Sequence, residues 1–437
     1  MASQTIMLKK FVKNLQWRGL IHNTTPDVGH HLASNKTSGY IGFDPTSSSL
    51  HIGNLLQIII LRHFQLAGHC PIVLLGGATG MIGDPSGKKE ERKLLNRYTL
   101  EKNGILIQNQ MNKFLDFDKS TKNRAILLNN YDWTKDYSLI DFSRDIGKHI
   151  TVNYMMAKDS VKNRISPSQG SGMSFTEFTY QLLQGFDFYY MYKNHSCTLQ
   201  MGGSDQWGNI TTGIELIRRK LNNQAHGITC PLVTKEDGSK FGKTEQGNIW
   251  LDRKLTSPFR FYQYWINITD IEAERLIKVF TFLNQEDINR LIIEHQKAPH
   301  LRTLQTRLAR ELTQLVHSTE DLDFAKKATQ ILFGKSTLDD IKSLSHQNCL
   351  EIFQGLPSAT ITKESLNRGL PIFEGLCLNP EFFQSKGQAK RAVQANSISV
   401  NKEKVDESYR LELKDLIAES FILLQKGKKK YCLLKVN

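Results

Sequence analysis

Apolar positions along this chain alternate between helical spacing and the unbroken runs typical of buried strands, and the switches between them mark its architecture. Near the start, Phe11, Leu15, Trp17 and Leu20 read as an amphipathic helix ending at Gly19. Tyr40-Ile41-Gly42-Phe43 is a short apolar strand. The polar residues after it, Asp44-Pro45-Thr46 and the serines 47–49, offer N-caps to a helix carrying His51, Leu55, Leu56, Ile59 and Phe64. Gly68 closes that helix, and Pro71-Ile72-Val73-Leu74-Leu75 is the continuous run of a buried strand. Strand, helix, strand in this order implies an α/β domain whose parallel sheet is joined by a crossover.

Residues 138–165 and 174–194 are helical in pattern, the first through Ile140, Phe142, Ile146, Ile150, Val152, Tyr154 and Met155. Thr198-Leu199-Gln200-Met201 is a further strand, and a helix follows it to about Lys220. Residues 258–350 are mostly helical, Pro357 and the residues near 368–371 punctuate a boundary, and the tail alternates in short segments. It ends in a basic, hairpin-like stretch from Lys426 to Leu434. There is no internal repeat and no low-complexity tract.

Composition narrows the class. A chain of 437 residues with 39% hydrophobic residues is long enough for two or three domains with a core. Ile58-Ile59-Ile60-Leu61 stops at Arg62, and no apolar run reaches the ~20 residues of a membrane span. The net charge of +14 favours a polyanionic partner such as RNA or DNA over a neutral one. Cysteines 70, 197, 230, 349, 377 and 432 are scattered without CxxC spacing, against structural zinc or a disulfide framework and in keeping with a reducing cytosol. Residues 1–26 carry Lys9, Lys10, Lys13 and Arg18 with no acid, as a transit peptide does; the amphipathic helix is the better reading, with no cleaved leader expected.

The candidate chemistry lies in loops after strands. Gly76 to Lys88 is Gly-rich but is no P-loop, because only three residues separate Gly83 from Gly87; nor is it GxGxxG, its glycines falling at 76, 77, 80 and 83. It still lets backbone approach a ligand closely, with Lys88 and Arg92 in reach of phosphates. His51-Ile52-Gly53-Asn54 sits at a helix N-terminus, where backbone N–H groups and the dipole favour anions. Lys240-Phe241-Gly242-Lys243-Thr244 brings two lysines that can follow a polyphosphate as charge develops. Alone, His51 would be an ordinary helix-start residue and the lysines an exposed turn; together they point to activation of a carboxylate by ATP.

These blocks, with Tyr40 to Thr46, Phe175-Thr176-Glu177-Phe178-Thr179-Tyr180 followed by Gln184 and Asp187, and Gly202-Gly203-Ser204-Asp205-Gln206-Trp207-Gly208, resemble bacterial-type tyrosyl-tRNA synthetases of class I over nearly the whole chain. The resemblance implies a Rossmann-like parallel-sheet catalytic domain at 1–230 with a helical insertion and dimer contact about 138–178. It further implies a linker at 231–257 holding the KFGKT loop, a helical anticodon-binding domain at 258–356, and a small α+β, S4-like RNA-binding domain at 371–437. The activity it implies is tyrosine--tRNA ligase: L-tyrosine and ATP give tyrosyl-adenylate and pyrophosphate, and tyrosine then moves to the 3′ end of tRNA(Tyr). Magnesium would accompany ATP, without a tightly bound cofactor or a protein metal site, in a cytoplasmic homodimer.

The resemblance also assigns roles. His51, Asn54, Lys88, Arg92, Lys240, Lys243 and Thr244 would be catalytic. Tyr40, Asp84, Tyr180, Gln184, Asp187 and Gln200 would hold tyrosine, with Tyr40 and Asp187 on the phenolic hydroxyl and Asp84, Tyr180 and Gln184 about the amino end. Asp44, Thr46, His51, Gly53, Gly203, Asp205, Gln206 and Lys243 would bind ATP, and Lys386, Lys390 and Arg391 RNA. Asn54 departs from the family's HIGH signature but keeps an amide N–H to donate, and KFGKT keeps both lysines of KMSKS. Three other readings compete: a tryptophan-specific enzyme of the same class, an RNA-binding protein that has lost the chemistry, and a nicotinamide dehydrogenase, which the missing GxGxxG disfavours.

Overall fold

A computed structural model of the protein describes residues 10–86, 94–165, 172–234, 236, 238, 241–244, 247–334, 338–354, 356–427 and 430–437; of residues 10, 243, 244, 338 and 339 it describes the backbone. The chain forms two compact units, one of residues up to Thr256 with Trp265–Val316, the other of Ser257–Tyr264 with His317–Asn437. The helical stretch 258–350 is thus shared between them. Among the described residues no helix is long and apolar enough to cross a membrane.

The first unit is built on a six-stranded sheet of β1 (Asn23–Thr24), β2 (Ser38–Phe43), β3 (Cys70–Leu75), β4 (Ile126–Asn129), β5 (Cys197–Gly203) and β6 (His226–Cys230), in the order β1-β6-β5-β2-β3-β4. All neighbours are parallel except β1, a two-residue antiparallel edge on β6. The helix Ile52–Leu66 returns the chain from β2 to β3, and Gly68, at φ 96°, turns it beyond the helix end. Strand order runs outward from β2 to β3 and β4, then returns on the other side at β5. A crevice therefore opens between the carboxyl ends of β2 and β5, where α/β sheets take their ligands.

The helix Phe175–His195 packs over this crevice, capped by the Ser174 hydroxyl on the Glu177 N–H. Its first turn is pinned by a buried ion pair, Arg164 to Glu177 at 2.7 Å, and Arg164 also donates to the Gly172 carbonyl. Residues 138–165 do not form the continuous helix that their spacing suggests. They break into Leu139–Asp145, a 3₁₀ turn Gly147–His149, Val152–Met156 and Asp159–Ile165, with the Thr151 hydroxyl restarting the helix at Val152. Ile146, Ile150 and Met155 are buried, whereas Leu139, Ile140, Val152, Met156 and Ile165 face outward, as does Phe175. Near the chain start, Phe11, Leu15 and Leu20 are buried, and the Arg18 guanidinium donates to the carbonyls of Lys278, Thr281 and Leu283 at 2.6–2.7 Å, clamping the end of the helix Asp270–Phe280.

In the second unit β9 (Ser358–Ile361), β11 (Ile398–Val400), β12 (Glu403–Lys404), β14 (Phe421–Lys426) and β15 (Lys430–Val436) form a sheet in the order β12-β11-β14-β15-β9, while β10 (Leu370–Pro371) pairs with β13 (Arg410–Leu411). One apolar face of that sheet packs on residues such as Phe382, Phe383, Ala389 and Val393. The other, through Phe421, Leu423, Tyr431 and Leu433, shares a core with Ala328, Ile331, Leu332, Cys349, Ile352 and Phe353.

Candidate active site

The loops after β2, β3 and β5, the start of the helix Ile52–Leu66 and one face of the helix Phe175–His195 enclose a cavity of about 450 Å³ at the crevice. Asp44, Thr46, His51, Gly53, Asn54, Asp84, Tyr180, Gln184, Asp187, Gln200, Gly203, Asp205 and Gln206 all line it, although they span 163 positions of sequence from Asp44 to Gln206 inclusive. Tyr40 lies in the core beside them, opposite Gln200 of β5 in the sheet register.

At one end stands Asp187, 2% exposed. The Trp133 indole N–H donates to its Oδ1 and the Asn130 amide to its Oδ2, each at 2.9 Å. Burial pushes this carboxyl up to about 7, against the downward pull of those two bonds. The Tyr40 hydroxyl is buried and finds no hydrogen-bond partner among the described residues; burial and then the charge of Asp187 raise it well above the ordinary phenol. The Gln200 carbonyl oxygen is buried and unpartnered in the same way. Buried polar atoms left so are costly unless a ligand completes them.

Farther along the cavity, Asp44 accepts from the Thr79 hydroxyl at 2.7 Å and from the Tyr180 hydroxyl at 2.9 Å. Asp84 accepts from the Ser86 backbone N–H at 2.9 Å and from the Gln206 amide at 2.7 Å. The Asn209 amide donates to Gln184 Oε1 at 2.9 Å and so fixes that side chain's orientation. This region gathers carboxylate charge suited to an ammonium group.

The mouth is formed at the helix start. His51 does not lie inside the helix as its apolar neighbours suggest; it is the N-cap, extended at φ −118°, with Nδ1 accepting from the Gly53 N–H. Asn54 completes a capping box, its carbonyl oxygen accepting from the His51 N–H at 3.1 Å, which leaves the amide N–H₂ to donate elsewhere. Lys88, Arg92 and Lys240 fall outside the described residues. The backbones of Lys243 and Thr244 form β7, paired with β8 (Gly247–Asn248). The segment is stitched to the helix start by Ile249 N–H to Gly242 O and Ile52 N–H to Ile249 O, both 3.0 Å. Phe241 is buried against Trp265 and Phe280, with both ring centroids 5.7 Å away. Lys386, Lys390 and Arg391 are exposed on the helix Lys386–Gln394 of the second unit.

Thr79, Asn130, Trp133 and Asn209 complete this site and were not singled out from sequence. Their one signal is position: Asn130 and Trp133 follow β4, and Thr79 follows β3, at the same carboxyl edge as the motif residues.

Comparison with known proteins gives two family matches, one described as class I tRNA synthetases (W and Y) over residues 33–334 and one as a tyrosine--tRNA ligase C-terminal domain over residues 348–434. The tyrosine--tRNA ligase of Flavobacterium johnsoniae is 57% identical over 431 residues, 98% of this chain and 100% of that protein. That of Porphyromonas gingivalis is 54% identical over 428 residues, 98% of this chain and 100% of that protein. Among solved structures, a C-terminally truncated mitochondrial tyrosyl-tRNA synthetase of Aspergillus nidulans matches with a TM-score of 0.67 and 30% identity, covering 76% of this chain and 99% of that one.

Proposed function

The chain belongs to the tyrosine--tRNA ligases, class I aminoacyl-tRNA synthetases, and on that premise we propose how its cavity selects and activates tyrosine. The enzyme joins the L-tyrosine carboxylate to the α-phosphate of ATP, so that pyrophosphate leaves ATP and tyrosyl-adenylate stays bound, and then passes tyrosine from the adenylate to the 3′ end of tRNA, releasing AMP. One observation carries the reading of specificity: the buried, unpartnered Tyr40 hydroxyl beside the buried Asp187 carboxylate. A phenol fits both, its O–H donating to Asp187 and its oxygen accepting from Tyr40. Phenylalanine would leave both unmet, and an indole N–H would leave Tyr40 without an acceptor. Asp84, Tyr180 and Gln184 then face the amino group, Gln206 the reacting carboxylate, and Asp205 a ribose hydroxyl.

ATP lies along Asp44, Thr46, His51, Gly53 and Gly203. The N–H groups at the helix start, with Lys88, Arg92, Lys240 and Lys243, stabilise charge on the departing pyrophosphate, and Thr244 adds a hydroxyl. Positioning and charge stabilisation are then the whole of catalysis, with no side chain covalently attached. Magnesium would accompany ATP, held by its phosphates, and would neutralise charge there.

tRNA(Tyr) is held by helices between 258 and 356 and by an S4-like module at 371–437. In that module 12 Lys and Arg face 8 Asp and Glu, and Lys386, Lys390 and Arg391 share one exposed helix. The outward apolar residues from Leu139 to Phe175 support a homodimer contact, and we assign the enzyme to the cytoplasm. The test is Asp187→Ala with ATP–pyrophosphate exchange run against tyrosine, tryptophan and phenylalanine. Loss of a charged hydrogen-bond partner should cost roughly 1.5–3 kcal/mol in tyrosine kcat/KM, with ATP binding little changed. A variant that kept the wild-type ratio of tyrosine to phenylalanine would refute the assignment.

A further inference from the structure

Two carboxylates that line the cavity, Asp187 and Asp44, are joined through one amide and one hydroxyl. Thr79 Oγ1 accepts from Asn130 Nδ2 at 2.9 Å and donates to Asp44 Oδ1 at 2.7 Å. The Asn130 amide cannot flip, because its Oδ1 already accepts from the Ala78 backbone N–H at 2.7 Å. Its two amide hydrogens are therefore divided between Thr79 Oγ1 and Asp187 Oδ2, each at 2.9 Å. Since Thr79 accepts from Asn130, its own proton points to Asp44, whose other oxygen takes the Tyr180 hydroxyl. The bonds run from Asp187 through Asn130, Thr79 and Asp44 to Tyr180, and every donor has one assigned acceptor.

The backbone is shaped around this link. A Cβ on Gly76 would lie 1.8 Å from Asp44 Oδ1 and 2.5 Å from Thr79 Oγ1, so only glycine lets the loop after β3 pass over the Asp44–Thr79 bond. Thr79 and Asn130 are both buried.

We propose that the Thr79 hydroxyl is a positioning group for tyrosine selection: it holds the Asn130 amide on Asp187 and ties the phenol-reading carboxylate to the Asp44–Tyr180 pair. The proposal rests on Asp187 being the acceptor for the substrate phenol. Thr79 acts through Asn130 and Asp44, on a different strand end from either carboxylate. Without its hydroxyl, one Asn130 hydrogen loses its acceptor, the amide is no longer pinned at both ends, and Asp187 is left less well satisfied as an anion.

That loss has a signature that simple packing damage lacks. The titratable groups facing Asp187 are Tyr40 from β2, Asp44 from the loop beyond it, and Tyr180 on its own helix. Both tyrosines are raised well above 10.0 and stay neutral, so Asp44 is the charge that opposes ionisation of Asp187, after burial itself. With the carboxyl at about 7 in the free enzyme, tyrosine affinity is full above that pH and falls as the pH drops through it. A weaker hold by Asn130 moves this acid limb to higher pH.

The experiment measures kcat and KM for tyrosine from pH 6 to 9 in Thr79→Val, Thr79→Ser and Asp187→Asn, with phenylalanine as competitor. Thr79→Val should raise the tyrosine KM about ten- to thirtyfold at pH 7, leave kcat within about threefold, and carry the acid limb upward. Thr79→Ser, which keeps the hydroxyl, should return both toward wild type. If Thr79→Val gives no folded protein, Thr79→Ala, which adds no new bulk, takes its place with the same readouts. Asp187→Asn should lose both selection and the limb. An unchanged limb and tyrosine-to-phenylalanine ratio in Asp187→Asn would overturn the reading of Asp187 itself. Loss of selection there with an unmoved limb in Thr79→Val, or equal damage in the Val and Ser variants, would overturn the role of Thr79 alone.

Discussion

Gly242 is where a single methyl group should cost the enzyme most of its first step. It sits at φ 84°, and a Cβ there would meet Ile52 Cγ1 at 2.6 Å and Cδ1 at 3.2 Å. Ile52 is fully buried and β-branched at the first turn of its helix, so it has little room to yield. The left-handed backbone alone costs a residue with a side chain roughly 1–2 kcal/mol. Overpacking a tight contact adds about 1–3 kcal/mol. Gly242→Ala therefore weighs against the docked segment by roughly 2–5 kcal/mol, which is about thirtyfold to a few thousandfold in the docked population. Adenylate formation should slow by that order in single-turnover stopped flow at saturating ATP. Equilibrium tyrosine binding should stay within about twofold, because uniform binding is not what the segment provides. Lys243→Ala, measured alongside, should show the same split. An activation rate within threefold of wild type, or tyrosine affinity falling in step with the rate, would refute the reasoning.

Two further outcomes follow from the packing. A chain ending at Val316 should retain tyrosine-dependent exchange and fail to charge tRNA, whereas one ending at Leu356 should bind hydrophobic dye and aggregate. The longer one keeps Ile331, Leu332, Ile352 and Phe353 but removes Phe421, Leu423, Tyr431 and Leu433, the other half of their core. Equal behaviour of the two in exchange, charging and dye binding would contradict this. Ile140→Lys should shift the protein to monomer in sedimentation, Ile140 being 76% exposed on the outward apolar face; an unchanged association state would exclude that face as the contact.

Much of the catalytic unit could be read from the chain because its strands are short apolar runs that open directly into glycine-rich or acidic loops. Tyr40 to Thr46 and Gly202 to Gln206 are legible for that reason, and the structure sets both at the same sheet edge. β1 was not legible: two residues, Asn23 and Thr24, carry no periodicity, and only pairing with β6 makes them a strand. The apolar spacing over 138–165 suggests helix correctly but not its breaks, since Thr151 and Gly147 act through local caps and turns rather than through hydrophobic pattern. His51 looked like a helix residue because its neighbours are helical; its extended backbone is fixed by the bond to the Gly53 N–H. Asn130, Trp133 and Thr79 were invisible for a different reason. Their role is to hold other side chains, and holding across 50 or more positions, as between Asn130 and Asp187 with a separation of 57, leaves no mark in local spacing.

The buried carboxylate of Asp187 also ties substrate binding to the durability of the fold. Its ordinary value of 3.8 is raised to about 7 in the folded protein, so the folded state holds a proton that the unfolded chain releases. The group's contribution to stability is intact below the ordinary carboxylate range and is lost as pH rises toward 7, at most about 4 kcal/mol. At neutral pH and above, the empty enzyme carries an anion that its own hydrogen bonds only partly satisfy. A substrate phenol bound at Asp187 as proposed would supply the missing donor. Tyrosine should therefore act on this protein as a folding ligand whose protective effect grows with alkalinity, and a cell short of tyrosine would hold its synthetase in its least durable form.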